Sequence, residues 1–206
     1  PRTTPFPGAG SKAAAPMPPT APTAPPATAS LGDVEVQDTA DRGKILVSKK
    51  ALQVGELILT EKPLLTVVQD NAQPSLDDLQ VWANRFGALP PEGQARVLEL
   101  YCPEQAAQGG NLAQLLGPTG AKASELLKLP VGVRREDLWR ALRVIECNTF
   151  DVPLPMELGR ERRQVELVPT IARLNHSCLP NALRGPGATP GTVEVRAIRP
   201  VAAGEE

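Results

Sequence analysis

Apolar residues at the two ends of this chain come in short runs broken by Gly or Pro. Lys44 to Ser48, Leu57 to Thr60 and Leu64 to Val68 are rich in Ile, Leu and Val, which is the pattern of short strands. Val165 to Arg173 and Thr192 to Ala197 read the same way near the far end. Gly55 suits a turn between such runs, because a residue without Cβ takes a positive φ freely. Pro63 has no amide to donate and should interrupt or edge a ladder. Between Asp70 and Asp151 the apolar period lengthens to that of a helix. Ser75 can cap one with Asp78 three residues on, placing Leu79, Trp82 and Phe86 on one face. Pro90 ends that helix and Pro91 opens the next, which carries Val97, Leu98 and Tyr101. Short helices are expected at Leu112 to Leu116 and Ala121 to Leu129. A clearer one runs from Arg135 to about Glu146, where Leu138, Ala141, Leu142 and Ile145 form a stripe. There is no internal repeat.

Composition sets the outer limits. Residues 1–32 are almost wholly Pro, Ala, Thr, Ser and Gly, too poor in apolar surface to offset ordering entropy, so a disordered tail is expected before a single folded domain over 33–206. An acid-free N-terminus is also compatible with organelle targeting, although no amphipathic pattern accompanies it. With 22 basic and 23 acidic residues, no field exists to collect nucleic acid. No apolar run approaches a membrane span, so the chain reads as soluble. Three separated cysteines, Cys102, Cys147 and Cys178, form neither a disulfide framework nor a zinc site, and a reducing compartment, cytoplasm or nucleus, is the expected location.

The polar and nucleophilic residues gather in Leu174-Asn175-His176-Ser177-Cys178-Leu179-Pro180-Asn181, which holds the only histidine and joins two strand-like runs, a common place for a site. Preceded by Arg173-Leu174 and followed by Val195-Arg196-Ala197-Ile198-Arg199-Pro200-Val201-Ala202-Ala203-Gly204-Glu205-Glu206, it resembles the SET-domain signature of protein lysine methyltransferases. A second block, Ala40-Asp41-Arg42-Gly43-Lys44 through Val54-Gly55-Glu56-Leu57-Ile58-Leu59-Thr60-Glu61-Lys62-Pro63-Leu64, resembles the first strands of that domain in its SMYD-type (SET and MYND) branch. The resemblance implies a β-rich α+β fold of short strands with a helical insert at about 70–146. It lacks the Cys- and His-rich MYND finger, so no metal is expected.

The resemblance further implies S-adenosyl-L-methionine (AdoMet) as methyl donor and a protein lysine side chain as acceptor, with other protein partners reached through the insert. Asn175 and His176 would lie against AdoMet, the Asn through its amide and the His through its backbone near the adenine. Cys147-Asn148-Thr149-Phe150 is similar to the family's Cys-Asn-Ser-Phe, so Cys147 and Asn148 would border the cofactor and the lysine channel. Arg42 and Lys44 belong to the Arg-Gly segment that holds the amino-acid end of AdoMet. The family continues past Gly-Glu-Glu to a Ser-Tyr whose tyrosine closes the site. That position lies beyond Glu206, so the resemblance implies a C-terminally incomplete domain, and no catalytic residue is assigned within this chain. Two rivals come from other classes. A catalytically silent SET module would act as a protein-interaction domain. A Cys178–His176 nucleophilic pair would make a hydrolase, but such pairs normally come from separate elements. Without the flanking match, the bland reading of His176 is a hydrogen-bonded structural histidine, and of Cys147 a buried small apolar residue; within the signature Cys178 is expected to be a packing residue.

Overall fold

The computed structural model describes residues 32–41, 43–70, 74–103, 111–116, 122–157 and 160–206. Apart from Gly32, the expected tail lies outside the described residues, as does Arg42. Strands β1 (Val34–Thr39), β2 (Gly43–Ser48), β3 (Leu57–Glu61) and β4 (Leu65–Gln69) come first. Helices α1 (Leu76–Gly87), α2 (Pro91–Leu98), α3 (Asn111–Leu116), α4 (Ala123–Leu126) and α5 (Arg135–Asn148) follow. Then come β5 (Thr149–Glu157), β6 (Arg160–Leu167), a 3-10 turn (Ile171–Arg173), β7 (Ala182–Pro186) and β8 (Val193–Ala197). Among the described residues no helix is long and apolar enough to cross a membrane.

Among the described residues all strand pairs are antiparallel. β1 and β2 form a hairpin, and the other strands make two three-stranded sheets ordered β3-β8-β7 and β4-β6-β5. Each three-stranded sheet takes one strand from before the helices and two from after them, so the distant ends of the sequence are stitched together at two places. The short runs at 44–48, 57–60 and 64–68 are strands as the sequence predicts. Three strands escape a reading by apolar pattern: β1, β5 and β7. Each is an edge, β1 in the hairpin and β5 and β7 in their sheets. An edge strand needs partners on one side only and tolerates Pro, Gly and charge, which is why β5 can carry Pro153 and Pro155 and β7 can contain Gly185 and Pro186.

The helices begin where the local chemistry dictates. Ser75 Oγ accepts from the Asp78 amide at 3.2 Å and Asp78 Oδ2 accepts from the Ser75 amide at 2.8 Å, a full capping box. Pro91 occupies the first turn of α2, where its missing amide costs nothing. The short helix expected at Ala121 to Leu129 is confined to Ala123–Leu126, and residue 121 falls outside the described residues.

Two apolar clusters result. One packs α1, α2 and α5 on the β4-β6-β5 sheet through Trp82, Phe86, Leu138, Leu142 and Leu167. The other joins Leu46, Leu52, Leu59, Val168, Ile171 and Val195 beneath the remaining strands. Leu167 belongs to the first and Val168 to the second, so the chain passes from one core to the other immediately before the 3-10 turn.

Candidate functional site

The signature Asn175 to Asn181 is positioned from both sides. On its N-terminal side the 3-10 turn begins at Thr170 and Ile171, whose amides have no partner within the turn, as at any helical start. Glu61, at the end of β3 with a side chain only 1% exposed, supplies one. Its Oε2 accepts from the Thr170 amide at 2.9 Å and the Ile171 amide at 3.2 Å. Its Oε1 accepts from Thr170 Oγ1 at 2.9 Å and from Arg96 Nη2 of α2, also at 2.9 Å. A carboxylate offers about four lone-pair sites, and all four contacts are charge-assisted.

On the C-terminal side two asparagines of the signature hold the Gly-Glu-Glu segment. Asn175 Nδ2 donates to Glu206 Oε1 at 2.5 Å, and Asn181 Nδ2 donates to the Glu206 carbonyl at 2.6 Å and to Glu205 Oε1 at 3.2 Å. The same segment pairs with the end of β2: the Ser48 amide donates to the Glu205 carbonyl at 2.9 Å and the Gly204 amide to the Ser48 carbonyl at 2.7 Å. Gly204 turns this segment with φ +81°, a conformation that a side chain would strain. The Ala202 amide, followed by the Asn181 side chain, holds the Glu205 carboxyl below its ordinary range.

A cavity of about 680 Å³ opens where β1–β2, the segment after α2, the end of α5 and the signature converge. Lys44, Cys147, Asn148 and Asn175 all line it. The structure thus brings together four residues that the sequence singled out from three separate segments. Lys44 arrives through the β1–β2 register, which pairs it with Asp38, and Asp38 lines the cavity too. Asn148, the last residue of α5, donates from Nδ2 to the Tyr101 and Val144 carbonyls, both at 2.8 Å. It therefore fixes the segment after α2 against the helix end. His176 is not among the lining residues. It is exposed, with Nε2 3.7 Å from Sγ of Cys178, which is also exposed. Cys178 is consequently no packing residue, contrary to the sequence expectation. The turn at Ser177, whose Oγ accepts from the Leu179 amide at 3.2 Å, points this part of the loop outward.

Cys147 Sγ lies 3.7 Å from Cys102 Sγ. Burial of the sulfur first, then Cys102 and Glu146, push the Cys147 thiol up to about 12, against a smaller opposing pull from Arg143. Although part of the residue faces open space, its thiol is a proton-holding group rather than a nucleophile at neutral pH. Sequence reading missed the wall contributed by Glu99, Tyr101 and Arg140, and also Glu61 behind the turn. Their local patterns are those of an amphipathic helix end and a strand, and nothing in them signals a site. Two other cavities, of about 390 Å³ beside β7 and β8 and about 400 Å³ between α1, α5 and β5–β6, contain none of the sequence candidates.

Short antiparallel strands drawn from both ends of a chain, closing around a turn of this sequence, define the SET class of domain. The SET-domain family model matches residues 43–206, and the chain belongs to that family. Among solved structures, the SET domain of LSMT bound to lysine and AdoHcy shares 16% identity at a TM-score of 0.42, over 87% of this chain and 49% of that one. Rubisco LSMT bound to AdoMet gives 16% identity and a TM-score of 0.44, over 85% of this chain and 47% of that one. The chain spans about half the length of these structures. A comparison with curated proteins finds no match by sequence.

Proposed function

We propose that this chain is the SET domain of a SMYD-like protein-lysine N-methyltransferase and that the 680 Å³ cavity takes S-adenosyl-L-methionine. The observation that carries the reading is the convergence of Lys44, Cys147, Asn148 and Asn175 on one cavity, whose size falls in the range of about 300 to 1,000 Å³ usual for cofactor sites. The donor set fits a ligand with both charges and an adenosyl group. Lys44 offers a cation, Asp38 and Glu99 offer carboxylates, and the Asn175 amide has a second N–H and a carbonyl oxygen besides the N–H given to Glu206. The SMYD-like assignment is supported by the Arg42-Gly43-Lys44 segment, the Val54 to Leu64 block and the helices between β4 and β5.

When bound, AdoMet supplies a methyl group on a positively charged sulfur. The chain's task is to hold that methyl and a lysine amine on one axis, which turns a bimolecular step into a local one. The amine must be neutral to attack, and its ordinary pKa is near ~10.4, so a site that partly desolvates it helps it lose its proton. Backbone carbonyls bordering the bound methyl would hold it through weak C–H···O contacts. Calorimetric titration of AdoMet tests the reading. Asn175→Ala should weaken binding by about 1 to 3 kcal/mol, because it removes the amide that would pair with a polar group of the ligand. Cys178→Ala, at an exposed position outside the cavity, should leave affinity nearly unchanged. The opposite ranking would overturn the assignment, and absence of AdoMet binding by the unaltered chain would favour the interaction-module reading.

A further inference from the structure

Glu61 is nowhere in contact with the cavity, and yet it is the most fully engaged carboxylate described. Taking a carboxylate out of water is costly, and an apolar residue of similar size would fill the same core space at less cost. What an apolar residue could not do is hold donors from two different segments at once. Glu61 Oε2 holds the amides of Thr170 and Ile171, and Oε1 holds Thr170 Oγ1 and Arg96 Nη2. The first group leads directly to one wall of the cavity. The Arg173 amide donates to the Thr170 carbonyl at 3.1 Å and the Leu174 amide to the Ile171 carbonyl at 3.0 Å, and Arg173 and Asn175 line the cavity. The second group leads to another part of the lining. Arg96 lies in the last turn of α2, directly before Glu99 and Tyr101, which line the cavity too. The two parts also meet where Arg173 Nη2 approaches Glu99 Oε2 at 3.8 Å.

We propose that Glu61 is the positioning residue of this site: through the Ile171–Arg173 turn it sets Asn175 on the cavity wall, and through Arg96 it makes that placement depend on helix α2 of the insert. The inference rests on the reading of the cavity as the AdoMet site. It gives the insert a physical route to the cofactor, since anything that shifts α2 withdraws one of the charges that hold Glu61 in place.

The test combines hydrogen exchange with AdoMet titration on the full chain. Glu61→Gln keeps the shape and one acceptor but loses the charge and turns an NH₂ group toward donors. It should raise exchange at the Thr170 to Leu174 amides and weaken AdoMet by about tenfold or more, the effect of a lost charge-assisted contact, while exchange within α5 stays as it was. Thr170→Val removes only the Oγ1 bond and should shift both readouts in the same direction by less. Thr170→Ser, which keeps the hydroxyl, should restore them, and this pair carries the comparison if Glu61→Gln does not fold. Arg96→Gln should also raise exchange in the turn. Folded Glu61→Gln with turn exchange and AdoMet affinity within about twofold of the parent would overturn the proposal, and an unaffected turn in Arg96→Gln would overturn the link to the insert. If the parent chain binds no AdoMet, the cofactor reading fails by itself. Turn exchange then still decides whether Glu61 sets the signature.

Discussion

The Cys147 thiol gives the sharpest quantitative test of the cavity's chemistry. It is pushed up to about 12 in concert with Cys102, so at pH 8 under about a hundredth is thiolate, against about a quarter for an ordinary cysteine of pKa ~8.5. A more basic thiolate is intrinsically more reactive, with a Brønsted slope of about 0.4 to 0.5, which returns part of that loss. Alkylation of Cys147 by iodoacetamide should therefore run about tenfold or more slower than that of a free cysteine at pH 8. Its rate should keep climbing about tenfold per pH unit to pH 10, where an ordinary thiol has levelled off. Peptide mass spectrometry over a time course reads this directly. Because burial is the largest cause and Cys102 the next, Cys102→Ala should speed the reaction without making it ordinary. AdoMet should slow it further if the cavity is its site. A parent rate within a few-fold of a free cysteine at pH 8 would refute the reasoning, and indifference to Cys102→Ala would refute the attribution. The same shift has a stability consequence: the folded thiol gives up its proton less readily than the unfolded one. Its contribution is thus full below about pH 8.5 and is lost as pH rises toward 12.

Two stability predictions follow from the helical core. Leu167 is fully buried in β6 and borders none of the described cavities, so Leu167→Ala should cost about 3 to 5 kcal/mol in denaturant unfolding. Leu142, 1% exposed, lines the 400 Å³ space beside α5. Its truncation leaves a void that can merge with that space, so Leu142→Ala should cost nearer 2 to 3 kcal/mol, and equal losses at the two positions would show that the space does not relax. Ser75→Ala removes the side-chain half of the α1 capping box and should cost about 1 kcal/mol, with a loss below about 0.3 kcal/mol meaning that packing and the remaining Asp78 bond to the residue 75 amide hold the α1 terminus.

Local chemistry was readable wherever one segment contains its own reason. Ser75 with Asp78, Pro91 at the start of α2 and the α5 stripe of Leu138, Ala141, Leu142 and Ile145 are of this kind. The apolar pattern did not reveal β5 or β7, because an edge strand is permitted the prolines and glycines that otherwise argue against a strand. Lys44, Cys147, Asn148 and Asn175 were singled out by three separate stretches that resemble the family, and one cavity brings them together. The outward turn of His176 and Cys178 was not readable, since adjacency in a motif does not say which way a loop faces. Glu61 was hidden for a different reason. As a charged residue ending an apolar run it looks like a solvated strand end, and its donors lie 109 residues away at Thr170 and 35 away at Arg96.

The sheet order has a consequence for synthesis. β3 and β4 leave the ribosome early, and their partners β8 and β6 come only after all the helices. With Glu61 and Thr170 separated by 109 residues, translation at about 5 to 20 residues per second leaves the early strands unpaired for on the order of 10 s. Closing so long a loop adds little entropy cost beyond that of a shorter one, since each doubling costs only about 0.6 kcal/mol. The hazard is therefore kinetic. Leu57 to Val68 must wait as apolar strands with open edges, a natural target for a chaperone, while the helices and the β5–β6 hairpin can begin to form from contacts close in sequence.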